Sequence, residues 1–112
     1  MKLKFAIPLE NGMLCTHFGH CQKFGIVNVE NNSIVGEEYI TPPPHVPGLL
    51  PKWLSEQGVT HIIAGGIGQK AIELFNERKI KVSIGAHSKK SSELVQDWLN
   101  NSLVIGENSC DH

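Results

Sequence analysis

A chain of 112 residues is the commonest size for one domain, so one hydrophobic core is expected and room for a second is excluded. Hydrophobic residues make up 40% and charged residues 19%, an ordinary globular balance that excludes intrinsic disorder. With 10 Lys plus Arg against 11 Asp plus Glu, the formal net charge of -1 gives no attraction for a polyanion, so nucleic acid is not an expected partner.

Met1-Lys2-Leu3-Lys4 leads into only five apolar residues before Glu10, too few for an export leader, and no run is long enough to span a membrane. Three cysteines, Cys15, Cys21 and Cys110, are an odd number without an export signal. Thiols in a reducing cytoplasm are expected rather than a disulfide framework.

In chain order, Leu3 to Leu9 is an apolar, branched run that reads as a buried first strand, with Pro8 marking its end because proline cannot donate to a ladder. A polar, Gly-containing stretch follows. Phe24 to Val29 and Ser33 to Ile40 then read as an antiparallel pair turning at Glu30-Asn31-Asn32, where Asn tolerates the positive φ of hairpin turns. Thr41 to Gly48 holds four prolines and is a stiff loop. Leu49, Leu50, Trp53 and Leu54 share one helical face, with Gly58 as the stop. His61 to Ala64 is a short buried strand ending in Gly65-Gly66-Ile67-Gly68, and a second helix beginning there buries Ala71, Leu74 and Phe75. Lys81 to Gly85 supplies the next strand. A third helix capped by Ser88 carries Leu94, Val95, Trp98 and Leu99, and Leu103 to Gly106 is a further short strand candidate.

Two antiparallel steps return the third strand to the direction of the first, and βαβ crossovers keep the later strands parallel to it. Four connections therefore leave one edge of the sheet: residues 10 to 22, the Pro-rich loop, the glycine turn and Ala86-His87-Ser88. Open α/β sheets bind ligands outside the carboxyl ends of their strands.

Of nine Cys and His residues, six fall in two short windows, Cys15-Thr16-His17-Phe18-Gly19-His20-Cys21 and Cys110-Asp111-His112. Thiolate and imidazole hold zinc, copper and iron-sulfur species, whereas hard cations call for carboxylates, of which these windows offer only Asp111. Taken singly, Cys15 and Cys21 are also small apolar filler; the histidines between them favour ligation. His45 stands beside prolines as a second-rank candidate, His61 reads as structural, and His87 is left open. In the glycine turn, bare backbone N–H groups and a helix start form a rim that accepts an anion, or else simply pack helix on strand.

Two-metal phosphoryl chemistry needs converging carboxylates, yet the only Asp residues are Asp97 and Asp111, and Glu10 is the lone acid at the expected edge. A Cys-His nucleophile lacks an orienting third group. No catalysis is expected.

Ile7-Pro8 closing the first strand, His17-Phe18-Gly19 followed by Phe24, the helix start Gly48-Leu49-Leu50-Pro51, and Gly58-Val59 leading to Ile63-Ala64-Gly65-Gly66-Ile67-Gly68 and Ala71 resemble the dinitrogenase iron-molybdenum cofactor-binding family. That family includes NifX, NafY and the C-terminal part of NifB, and the resemblance covers about residues 3 to 86. It implies a three-layer α/β/α, ribonuclease H-like fold with a mixed five-stranded sheet and no nuclease carboxylates. It also implies carriage of an iron-molybdenum cofactor or another Fe/Mo-sulfur cluster by a His-bearing loop. His17, Phe18 and Gly19 match the His-Phe-Gly position, and Gly65, Gly66 and Gly68 match the glycine turn. Cys15, His20, Cys21, Cys110 and His112 are this chain's own additions. The Cys-x-x-x-Cys-x-x-Cys segment of radical enzymes is missing, so a stand-alone carrier is expected, cytoplasmic, with a metal cluster as cargo and a client metalloenzyme or cluster-assembly protein as partner.

The combined expectation is a domain over residues 1 to 106 and a Cys/His-bearing tail over 107 to 112. His17, with Cys15 and Cys21, ligates the cluster at the carboxyl edge, the glycine turn takes its anionic side, and His45 and the tail close over it. The rival is a regulatory or interaction module with a structural or labile zinc; a small redox enzyme using Cys15 and Cys21 is the weaker third reading.

Overall fold

The computed structural model describes residues 2–15, 18, 21–43 and 48–103. Its spine is β1, Lys2–Glu10, in which Phe5 to Leu9 are buried on both faces because successive side chains point to opposite sides of the sheet. The remaining elements in chain order are β2 (Met13–Leu14), β3 (Lys23–Glu30), β4 (Ser33–Ile40), α1 (Leu49–Glu56), β5 (His61–Ala64), α2 (Gln69–Glu77), β6 (Lys81–Ile84) and α3 (Ser91–Leu99).

The sheet runs β4-β3-β1-β5-β6, with β2 attached to the end of β1. β3 is antiparallel to β1 and β4 to β3, while β5 is parallel to β1 and β6 to β5. The carboxyl ends of β1, β4, β5 and β6 therefore line one edge, as the alternation of elements requires. Ala6, Phe24, Ile26 and Ile62 pack with Leu50, Leu54 and Phe75 on the α1/α2 face. Phe5, Ile7, Leu9, Val27 and Ile63 pack with Leu94 and Val95 on the α3 face. The result is three layers, α/β/α.

Three local expectations are corrected. The sheet has six strands rather than five, because Asn11 (φ 54) and Gly12 (φ 82) turn the chain into a tight hairpin pairing Leu9 with Leu14 and Glu10 with Met13. Pro8 does not end β1. On the side where its carbonyl accepts from the Cys15 amide, pairing with β5 stops at Ala6 and pairing with β2 resumes at Leu9, so the missing N–H falls in the gap. The third helix starts at Ser91 with Lys90 as its N-cap, not Ser88; the Glu93 carboxylate accepts from the Lys90 amide at 3.3 Å. Leu103 packs against the α3-side core outside any strand, and residues 104 to 106 lie outside the described residues.

Elsewhere the turn chemistry is as read: Asn31 (φ 52) and Asn32 (φ 65) join β3 to β4, and Gly58 (φ 85) follows α1. Gly25 has a different role. A Cβ there would lie 2.9 Å from Ser91 Oγ and 3.0 Å from Leu9 Cδ1, so its bareness lets the start of α3 settle onto β3.

Candidate functional site

The segment after β2 is clamped at both ends to consecutive residues of β1. The Cys15 amide donates to the Pro8 carbonyl at 2.8 Å, and the Gln22 amide donates to the Leu9 carbonyl at 2.9 Å. Leu14 belongs to the α3-side core, and Cys15, the residue after it, is buried. Cys21 is half-buried and packs against the α1/α2-side core. Between them, Phe18 is 4% exposed; its amide donates to the Gly66 carbonyl at 3.0 Å, and its ring meets Phe24 and Phe75 edge-on at 5.4 and 5.5 Å.

The two cysteines are thiols, not a disulfide. Burial pushes the Cys21 thiol up to about 11, and negative charge on Cys15 adds to the rise. Backbone hydrogen bonds at Cys21 and Leu9 pull the other way more weakly. Two thiols in one loop suit thiophilic metals and metal-sulfur species rather than hard cations.

The glycine turn abuts this loop. A Cβ on Gly65 would stand 3.5 Å from the Cys15 carbonyl oxygen and 3.6 Å from that of Ala86, ordinary contacts, so sterics alone do not demand glycine there. Gly66 is buried, whereas Gly68 is exposed with open space beside it and precedes α2 in an extended conformation (φ -69, ψ 151). The first turn of α2 contains no acid to offset the positive end of the helix dipole.

A third segment joins them. The Leu14 amide donates to the Lys89 carbonyl at 2.9 Å, and Ser88 Oγ donates to the Leu14 carbonyl at 3.3 Å. The connection from β6 to α3 is thus bonded to the residue just before Cys15, and it presents His87 exposed at the same edge.

Of the residues singled out from sequence, the fold brings together Cys15, Phe18, Cys21, Gly65 and Gly66, with Gly68 at the end of the turn. His17, Gly19, His20, His45, Cys110 and His112 lie outside the described residues. Among the described residues, no three His, Cys, Asp or Glu side chains converge as a metal site. His61 is structural as read: it stacks on Phe5 at 4.8 Å, meets Trp98 edge-on at 5.0 Å, and its Nδ1 lies 2.8 Å from Thr60 Oγ1. Burial holds its imidazole below the ordinary value, with the Lys81 charge adding to the effect. Sequence reasoning missed the hairpin that carries Cys15 and the bonding of Ser88 and Lys89 to Leu14. Asn11-Gly12 within Leu9-Glu10-Asn11-Gly12-Met13-Leu14 was a usable signal for the first; nothing local signals the second.

A family model described as dinitrogenase iron-molybdenum cofactor matches residues 1–101. The chain is 35% identical over 85 residues to the uncharacterized protein MJ0580 of Methanocaldococcus jannaschii, covering 71% of this chain and 72% of that protein. Its fold is similar to the crystal structure of PH0822, with a TM-score of 0.85, 28% identity, and coverage of 92% of this chain and 94% of that one. It is also similar to the apo form of the orange protein from Desulfovibrio gigas, with a TM-score of 0.76, 20% identity, and coverage of 94% and 93%. At that identity the second likeness concerns the fold alone. No helix among the described residues is long and apolar enough to cross a membrane.

Proposed function

The chain belongs to the dinitrogenase iron-molybdenum cofactor family, and from that premise we propose that it binds and carries an iron-molybdenum cofactor or a related metal-sulfur cluster without catalysing a reaction on it. The observation that carries this reading is that one loop at the sheet's carboxyl edge holds both thiols, with the Cys15 backbone against Gly65, Cys21 packed on the α1/α2-side core, and Phe18 between them bonded to the glycine turn. Thiolates supply soft ligands to iron and its congeners. His17 is the first-choice imidazole, with His20, His45, Cys110 and His112 as further donors, and the backbone at Gly65, Gly66 and Gly68 takes the anionic side of the cargo. A carrier of this kind works in the reducing cytoplasm and hands its cargo to a client metalloenzyme or a cluster-assembly protein.

Carriage requires a form that stays folded when empty. The hydrophobic clusters on both faces of the sheet are built from side chains alone, which supports a folded apo state.

The test is anaerobic purification followed by elemental analysis, visible absorption and circular dichroism of the metal-free form. Iron or molybdenum with sulfide, charge-transfer bands and a folded apo protein are expected, and a protein carrying His17→Ala, Cys15→Ser and Cys21→Ser together loses the bound metal. Stoichiometric zinc whose chelation unfolds the domain would overturn carriage in favour of a structural zinc module. Retention of the cluster in the triple variant would overturn the site.

A further inference from the structure

A cavity of about 280 Å³ opens beside the end of β1, lined by Leu9, Asn11, Gly12, Gln22, Lys23 and Tyr39. Strand register builds it. Leu9 pairs with Lys23 and Gly25 with Tyr39, and directly paired residues carry their side chains on one face of the sheet. Leu9 belongs to the α3-side core and is 2% exposed, so it supplies an apolar floor. Tyr39, 59% exposed, supplies an aromatic wall, and the Asn11-Gly12 turn completes the lining.

The polar groups around this cavity favour an anion. Lys23 Nζ donates to Thr41 Oγ1 at 2.5 Å, a neutral partner, and Lys23 is in neither of the ion pairs found among the described residues, Lys2–Glu30 and Lys89–Asp97. The carboxamide oxygen of Gln22 accepts from the Asn11 amide at 3.0 Å, which leaves its NH2 end to donate. No lining residue is acidic. A cation and an amide donor beside apolar surface suit a carboxylate on an apolar body. The volume limits that body: an enclosed cavity of about 150 Å³ holds benzene, so there is room here for a single ring and its carboxylate. The Tyr39 ring offers it a stacking partner.

The geometry points to a binding site for a small aromatic carboxylate in this cavity, with Lys23 and Gln22 taking its charge and Leu9 and Tyr39 its ring. The site goes beyond the proposed carriage of a metal cluster and does not depend on it.

The test titrates benzoate into the full-length, 15N-labelled protein and follows the amide resonances. Saturable shifts at Gly12, Gln22, Lys23 and Tyr39 are expected, with acetate, which lacks the ring, and benzamide, which lacks the charge, each binding several-fold more weakly. Lys23→Gln should weaken benzoate by at least about tenfold, since it removes a charge-assisted hydrogen bond, while Lys23→Arg keeps most of the affinity. Tyr39→Ala should weaken it several-fold. Both side chains are exposed, so these variants are expected to fold as the parent does. Should Lys23→Gln fail to fold, benzamide against benzoate on the parent still reads the charge. An absence of saturable shifts with millimolar benzoate, equal affinity for benzoate and acetate, or unchanged benzoate affinity in both Lys23→Gln and Tyr39→Ala would overturn the site.

Discussion

The Phe18 amide donates to the Gly66 carbonyl at 3.0 Å, so the loop bearing the cysteines and the glycine turn before α2 are one hydrogen-bonded unit at the carboxyl edge. The Phe18 ring, wedged against Phe24 and Phe75, links that unit to the core.

Phe18→Ala should therefore act on stability and site together. Deleting a ring that is 4% exposed leaves a cavity, and a loss of about 3 kcal/mol in denaturant unfolding is expected. Metal affinity should fall as well, because the segment holding Cys15 and Cys21 loses its apolar anchor. Phe18→Leu fills most of the space and should recover most of both. An unchanged unfolding midpoint in Phe18→Ala would contradict the packing described.

Cys21 should behave as a poorly ionised thiol. With its pKa near 11, only a small thiolate fraction is present at neutral pH, so alkylation by iodoacetamide should be slow and its rate should keep rising with pH well past 9. Cys15→Ser removes the second cause of the shift and should move the profile down in pH, but not to the ordinary thiol value, since burial is the larger cause. Metal binding displaces that proton, so affinity should increase with pH across the neutral range. A Cys21 that alkylates as fast as a free thiol would refute this.

The legibility of these features differs by residue. His61 was readable as structural because it opens an apolar strand, and Phe18 was readable as part of a motif. The bond from the Cys15 amide to the Pro8 carbonyl was not readable, because it depends on the Asn11-Gly12 hairpin that folds the chain back along β1.

His61 should make stability pH-dependent. Its folded-state pKa lies below the ordinary 6.5, so the unfolded chain takes up a proton first as pH falls. Stability should be unaffected by this group above that value, decline as pH drops below about 6.5, and level off beneath the folded-state pKa. His61→Phe keeps a ring against Phe5 and cannot take a proton. Its unfolding free energy, measured by urea titration between pH 7.5 and 5, should lose less than the parent's. Equal losses in the two proteins would rule out His61 as the source.

By itself the sequence determined the order and type of the long elements, the direction of the main strands, and the family. Periodicity, Asn and Gly turns, and the paired His-Phe-Gly and Gly-Gly-Ile-Gly motifs are local signals that survive without tertiary context. Only the tertiary structure decided which groups meet. Pro8 runs on inside β1 because two different strands share its flank, and Gly25 is bare because Ser91 lies on it. Cys15 stands beside Gly65 and the connection bearing His87 because Leu14 bonds to Ser88 and Lys89, 74 residues away in the case of Ser88. Such contacts depend on sheet order and register, which no local stretch of chain encodes.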